Sequence, residues 1–391
     1  MASQLLNAAT NAATAYVAAL LLGPADFGPF AIAFACVTIL GATARGLVGS
    51  TVLTYLPTAG DDERDLVRSV AGVALTAGLV AAALLGLGAA WDTTLGVFAV
   101  WMVPAVLHDT GRHVAFARQQ QPVALAMDVV WAVVQGLVLA VCALTDQVST
   151  TTVVAAWGLG SLVGLVPFLL RDRVTPSSPR AWISRTRSTI AWYTGSAALG
   201  QIEVYAVILV VGWALTTTEA GGVRAAQLIA AQPMIALLGA MMTQAIPRSA
   251  AVLDRPRPGA VRAVVTENAV LVAPVVAVLV GVVLARGPLM DLLLPEFTAF
   301  TSLVVPTAAA TLAIALSVPA IAVIRGLRLA RLEFGVQLGR VVVMLVALPL
   351  VLTHGSLEAG LWAAAGAQAL GTAALVAAVV RARRSAGPRD G

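Results

Sequence analysis

The sequence has no lysine, little charge of either sign, and almost no cysteine or histidine. Only 11% of its residues are charged, against the roughly 25% of a typical soluble domain, so a water-facing globular fold is excluded. The two cysteines, Cys36 and Cys142, lie inside apolar segments and read as small core residues, with no disulfide or metal implied. His108, His113 and His354 stand near the ends of apolar runs without zinc spacing. No nucleophile elbow and no phosphate-binding glycine loop occur, so nothing in the chain points to catalysis, ATP hydrolysis or a cofactor. All 24 basic residues are arginine, which reflects GC-rich coding more than chemistry. They are scattered over short loops, so the net charge of +5 does not imply a nucleic-acid partner. The apolar start lacks a basic n-region and runs on into further apolar segments, unlike a cleaved signal peptide.

What is there is hydrocarbon. Apolar side chains make up 59% of the residues and the mean hydropathy is +0.92, so lipid is the solvent for much of the surface. Twelve apolar runs are long enough, or nearly so, to cross about 30 Å of hydrocarbon. They are Leu5–Leu22, Pro29–Leu53, Val70–Ala90, Leu95–Leu107, Val123–Leu144, Val153–Leu170, Thr189–Trp213, Val223–Ile246, Val264–Leu284, Phe300–Ile324, Phe334–Leu352 and Leu357–Val380. The fourth is the shortest, and its far end is open between His108 and Arg112. Twenty arginines fall on the even-numbered loops and the C-terminal tail, whereas the odd loops hold only Arg286. The positive-inside rule then places the even loops and both termini in the cytoplasm of a multi-pass protein of the inner membrane.

A basic, proline-containing segment, 171–188, separates six spans from six. The expected organisation is an N-terminal six-helix lobe (1–170), this linker, a C-terminal six-helix lobe (189–380) and a basic tail (381–391). Ser177 and Ser178, beside Pro176 and Pro179, suggest a mobile tether. A faint repeat relates Asp26-Phe27-Gly28 to Glu219-Ala220-Gly221, each followed by small residues, as in duplicated transporter halves.

Charges inside apolar spans are the candidate functional residues, because a charge at mid-bilayer costs about 2.5–3.5 kcal/mol and calls for a partner or a wet cavity. Arg45 lies near the middle of the second span, roughly 24 Å along the helix from Pro29, and Glu203 near the middle of the seventh. Either they face a polar cavity between the halves, or Arg45 pairs with an acid such as Glu203 and holds helices together. Asp128 and Arg340 lie about a turn and a half inside the fifth and eleventh spans, where snorkelling to interfacial water is the plainer alternative. Arg224 opens the eighth span at its outer mouth, and Glu267 is shallow enough to snorkel. The first span carries a polar stripe of Gln4, Asn7, Asn11 and Thr14, with Thr10 beside it, suited to a sugar-binding wall or to interhelical hydrogen bonds. Pro104, Pro167, Pro233, Pro274, Pro306, Pro319 and Pro349 interrupt the helical pattern within spans.

The run Leu22-Gly23-Pro24-Ala25-Asp26-Phe27-Gly28-Pro29-Phe30-Ala31 resembles the start of the polysaccharide transporter family, the O-antigen and exopolysaccharide flippases related to multidrug and toxin extrusion proteins. Ala220-Gly221-Gly222-Val223-Arg224-Ala225-Ala226-Gln227 resembles a segment of that family's second half, with Val223 where an aromatic is usual, and Leu293-Leu294-Pro295-Glu296-Phe297 resembles its loop before helix ten. The first apolar run opens within a few residues of Met1, where the family's pattern has a short basic leader ahead of it. The resemblance implies an all-α integral membrane protein: about twelve helices in two pseudo-symmetric six-helix lobes around a central cavity. It implies alternating access for a lipid-linked oligosaccharide carried on undecaprenyl pyrophosphate. Arg45, Glu203, Asn7, Asn11 and Arg224 would contact the substrate, and Glu203 or Asp128 would couple an ion. Glycosyltransferases or a polymerase of the same pathway would be partners. A cation-coupled drug exporter of the related extrusion family is the main alternative. A major-facilitator transporter is disfavoured, because Gly60-Asp61-Asp62-Glu63-Arg64-Asp65 does not match its loop signature. A membrane polymerase or glycosyltransferase would need a larger outward loop.

Overall fold

The computed structural model describes residues 2–58, 60–172, 175–253, 259–327 and 329–385. Arg173, Arg255, Arg257, Arg328 and Arg389, used above for orientation, lie outside them, as do the side chains of Gln4, Arg383 and Arg384. The described residues form helices without strands. In chain order these are α1 (Ala2–Leu47), α2 (Gly49–Tyr55), α3 (Glu63–Gly88), α4 (Thr93–Ala117), α5 (Gln121–Leu144), α6 (Thr150–Gly164), α7 (Val166–Asp172) and α8 (Arg180–Thr186). They continue as α9 (Ile190–Ala214), α10 (Thr217–Ala230), α11 (Gln232–Leu253), α12 (Ala260–Leu284), α13 (Arg286–Leu293), α14 (Val304–Gly326), α15 (Ala330–His354) and α16 (Leu357–Ser385).

Among the described residues, nine segments are long and apolar enough on composition to cross a membrane. Three further crossings escape that count for physical reasons. α1 has 46 residues, about 69 Å at 1.5 Å per residue, too long for one passage, and it breaks at Gly23. There φ is 66° and ψ is 171°, a conformation open essentially to glycine alone. Pro24 follows, its fixed φ suited to the start of the second helix. α4 carries Asp109, Arg112 and His113 in its second half, which lowers its mean hydropathy, yet it runs unbroken from Thr93 to Ala117. This is about twice the expected fourth span, and it takes Arg112 out of the loop assigned to it. α10 and α11 form one passage interrupted at Ala231. The result is an all-α membrane protein of about twelve passages.

Several turns read directly from the chain. The Asp92 carboxylate accepts from the Thr94 amide at 2.8 Å and opens α4. Ser149 and Thr152 form a reciprocal capping box on α6. The Thr216 hydroxyl accepts from the Glu219 amide at 3.1 Å and opens α10. Of the span prolines, Pro167, Pro233 and Pro306 fall in the first turns of α7, α11 and α14, where their missing N–H is harmless. Pro104, Pro274, Pro319 and Pro349 lie inside helices.

The chain divides into two compact units, Met1–Tyr205 and Ala206–Gly391, so the boundary falls within α9. In the first unit, Phe27, Phe30, Phe34, Phe98 and Trp157 pack ring to ring with centroids 5.6–6.1 Å apart. Glycines let large rings approach the backbone: a Cβ on Gly158 would lie 2.1 Å from Trp101, and one on Gly160 2.3 Å from Trp131. In the second unit, Val264, Ala320, Val323, Ile324, Leu375 and Val379 pack α12, α14 and α16 together. Arg325 grips Glu333 with N–O distances of 2.6–3.0 Å and ties α14 to α15.

The expected mobile tether is seated on the first unit. The Ser177 amide donates to the Arg68 carbonyl at 2.9 Å, and the Ser69 hydroxyl to the Ser178 carbonyl at 2.7 Å. Trp182 of α8 is fully buried; its amide donates to the Ser69 hydroxyl and its indole N–H to the Thr51 hydroxyl. Gly72 makes the approach feasible, since a Cβ there would lie 1.9 Å from the Ser177 carbonyl oxygen.

Candidate functional site

The polar centre of the first unit is a chain of alternating charges on α1, α4 and α5. Arg45, in the last turn of α1, donates from Nε to Asp109 Oδ2 at 2.8 Å. The other Asp109 oxygen accepts from Arg112 Nη1 at 3.0 Å. Arg112 Nε lies 2.7 Å from Asp128 Oδ1. Asp128 also accepts from the Ser3 hydroxyl at the start of α1, and the Asn7 side chain is its further partner. Two cations and two anions thus balance inside a helical bundle, which is what keeps them affordable there: an uncompensated buried charge costs several kcal/mol.

Local sequence sets this geometry. Asp109, Arg112 and His113 follow at spacings of three and one, so all lie on one face of α4. His113 Nδ1 donates to the Asp109 carbonyl at 2.7 Å, and the ring packs beside Arg45 over Gly49. A Cβ on Gly49 would lie 2.9 Å from the His113 ring and 3.0 Å from Arg45 Cγ. On the next residue of α1, a Cβ at Gly46 would lie 2.5 Å from Thr194 Cα, so α9 presses against α1 there.

Burial is graded along the chain of charges. Asp128 is fully buried and the Arg112 side chain 3% exposed, whereas the Arg45 side chain is 45% exposed. Arg45 is held to the protein through Nε, and among the described residues no bond occupies its two terminal nitrogens. Arg45 is thus the member of the network with the most surface not covered by protein.

The structure regroups the sequence candidates. Arg45 and Asp128 join one network through Asp109 and Arg112, neither of which stood out in the sequence. On the sequence reading Arg112 falls in the loop after a short fourth span that ends at Leu107, and Asp109 lies just past that end; the signal that could have found them is the charged i, i+3 pair continuing the helical period of α4. The acid on Arg45 is Asp109, where the sequence offered Glu203. Glu203 is buried on α9. Asp128 does not snorkel: it has no exposed surface. Asn11 bonds the Asn7 carbonyl of its own helix at 3.0 Å, and both are half-buried. Thr14 accepts from Gln135 of α5 at 2.6 Å, a link between helices. Glu267 is exposed.

Arg224 and Arg340 belong to the second unit. Arg224 lies two turns inside α10, not in its first turn, because the helix begins at Thr217. It is 1% exposed and donates to Gln227 and Gln232 at 3.3 and 3.1 Å. Arg340 is buried, donates to Gln368 at 3.1 Å, and lies on Gly371, where a Cβ would meet its Nε at 2.1 Å. It too does not reach interfacial water by snorkelling.

No protein-family model and no curated protein matches the sequence. Solved structures do. An inward-facing multidrug resistance MATE family transporter of the MOP superfamily superposes with a TM-score of 0.75 at 12% identity, covering 98% of this chain and 96% of that one. This chain has the MATE-like transporter fold. A eukaryotic MATE transporter gives a TM-score of 0.71 at 16% identity over 97% of this chain and 93% of that one. A MOP superfamily transporter from Pyrococcus furiosus, described as having a binding pocket of reverse polarity that suggests a different function, gives 0.70 at 12% identity over 98% and 93%.

Proposed function

We propose that the chain is a flippase. It would carry a lipid-linked oligosaccharide on undecaprenyl pyrophosphate across the cytoplasmic membrane by alternating access, for cell-surface polysaccharide biosynthesis. The observation that carries this reading is Arg45: a half-exposed side chain, anchored through Nε, whose two terminal nitrogens carry no bond among the described residues. That end of the fork can donate two parallel hydrogen bonds to a phosphate. The MATE-like fold supports membrane transport, and the motifs around Gly23, Arg224 and Pro295 resemble the polysaccharide transporter family. Translocation makes and breaks no covalent bond, so the protein acts as a transporter rather than an enzyme. Arginine distribution supports cytoplasmic termini in the inner membrane. Glycosyltransferases would supply the cargo and a polymerase would consume it.

A cation-coupled exporter is the second reading, favoured by the fold shared with multidrug resistance transporters and by the buried acid Asp128. Gene deletion separates the two. The flippase reading expects lipid-linked oligosaccharide of unaltered structure to accumulate on the cytoplasmic leaflet, with drug susceptibility unchanged. Normal oligosaccharide export with drug hypersensitivity would replace it by the exporter reading. Export of unpolymerised oligosaccharide would instead indicate a polymerase.

A further inference from the structure

One carboxylate serves two arginines. Asp109 gives Oδ2 to Arg45 at 2.8 Å and Oδ1 to Arg112 at 3.0 Å. The two arginines differ in access: 45% of the Arg45 side chain is exposed against 3% of Arg112. They differ in company too, since Arg112 has Asp128 at 2.7 Å and the partner found on Arg45 is Asp109. Asp109 itself is 20% exposed, so a ligand reaching Arg45 also reaches the edge of this carboxylate.

An anion approaching Arg45 therefore meets a like charge already in place. Two anions on one guanidinium repel each other at such distances. Asp109 has somewhere to go, because Oδ1 is already on Arg112, and a short side-chain rotation can turn Oδ2 from Arg45 toward the same guanidinium. We propose that Asp109 is an internal counter-ion that competes with the cargo's anionic group for Arg45, and that Arg112, already bonded to one of its oxygens, retains the carboxylate when the anion binds and Asp109 releases Arg45. Empty protein keeps Arg45 neutralised by Asp109. Loaded protein exchanges that carboxylate for phosphate. Asp128, with Ser3 and Asn7 around it, sets how firmly Arg112 can hold Asp109. Asp109 is thus a positioning residue that sets specificity by excluding weak anions. This inference rests on the reading of Arg45 as the pyrophosphate contact.

Competition predicts two shifts of opposite sign, read with inorganic pyrophosphate binding to the purified full chain. In Asp109→Asn the competitor is gone, and affinity should rise about ten-fold, within the usual range of coupling between sites. In the double variant Arg112→Gln with Asp128→Asn, Asp109 is left with Arg45 alone, and affinity should fall about five-fold. The second variant keeps the question open to decision if the first fails to fold, because it removes one charge of each sign. A purely structural Asp109 would leave the double variant at wild-type affinity and weaken binding in Asp109→Asn as much as Arg45→Ala does; either result overturns the proposal. If wild type binds pyrophosphate and Asp109→Asn binds it equally, counter-ion exchange fails while the anion site stands. If wild type and every variant bind none, the anion site itself fails and this inference with it.

Discussion

Arg45 and Arg112 carry the same side chain in one network and should behave oppositely when removed. Arg45 is half-exposed and its loss leaves Asp109 with Arg112, so Arg45→Ala should insert and fold near wild-type level while losing the proposed flipping. Arg45→Lys keeps the charge without the bidentate fork and should retain part of the activity. Accumulated lipid-linked oligosaccharide in complemented cells measures both. A swapped pair, Arg45→Asp with Asp109→Arg, should preserve the ion pair but not transport; full transport from it would show that Arg45 is only a strut. Arg112 is buried against a fully buried Asp128. Arg112→Ala strands that carboxylate and should lower stability by about 3–5 kcal/mol, seen as a fall in Tm. Arg112→Met with Asp128→Leu removes both charges and should recover most of the loss.

At the level of elements, Gly23 decides whether α1 is one rod or two passages. Its φ of 66° with ψ of 171° is closed to residues with a Cβ, so Gly23→Ala should cost about 1–3 kcal/mol. Gly86, helical with open space where a Cβ would stand, is the control: Gly86→Ala should leave Tm unchanged or slightly raised. The α8 segment makes a second test. Trp182 is its buried plug, while Arg180, Arg185 and Arg187 around it are exposed. Trp182→Ala removes a fully buried aromatic, a loss of about 3–5 kcal/mol in well-packed cores. The segment should then leave α3, and limited trypsin digestion should cut at these arginines faster than in wild type. Cleavage at an unchanged rate would mean that the backbone bonds from Ser177 and Ser178 suffice to hold it.

For the whole molecule, the arginine bias orders the loops and the helix count gives that order its alternation. With Cys36 and Cys142 replaced, single cysteines at Asp146 and Arg180 should label oppositely with an impermeant thiol reagent in intact cells. Asp146, in the turn after α5, should react from outside; Arg180, at the start of α8, should react only after permeabilisation. Labelling of both from outside would invert or break the topology.

The sequence by itself determined the solvent, the helical class and the number of passages. These follow from length, hydropathy and charge distribution, properties that a single chain carries without reference to contacts. It also determined the local breaks, because Gly23, Pro24, Asp92, Ser149 and Thr216 act on their own backbone within a few residues. Arg45 and Asp128 were legible as charges in need of partners, but not the partners. Asp109 lies 64 residues from Arg45, and Ser3 lies 125 from Asp128. Which acid meets which arginine depends on how α1, α4 and α5 pack, and on glycines such as Gly49 that let side chains share a space. The same holds for the 171–188 segment, whose composition reads as a tether. Only packing revealed the pocket that Ser69, Thr51 and the bare face of Gly72 offer to Trp182 and Ser177, since a cavity is a property of several helices at once and of no stretch of sequence alone.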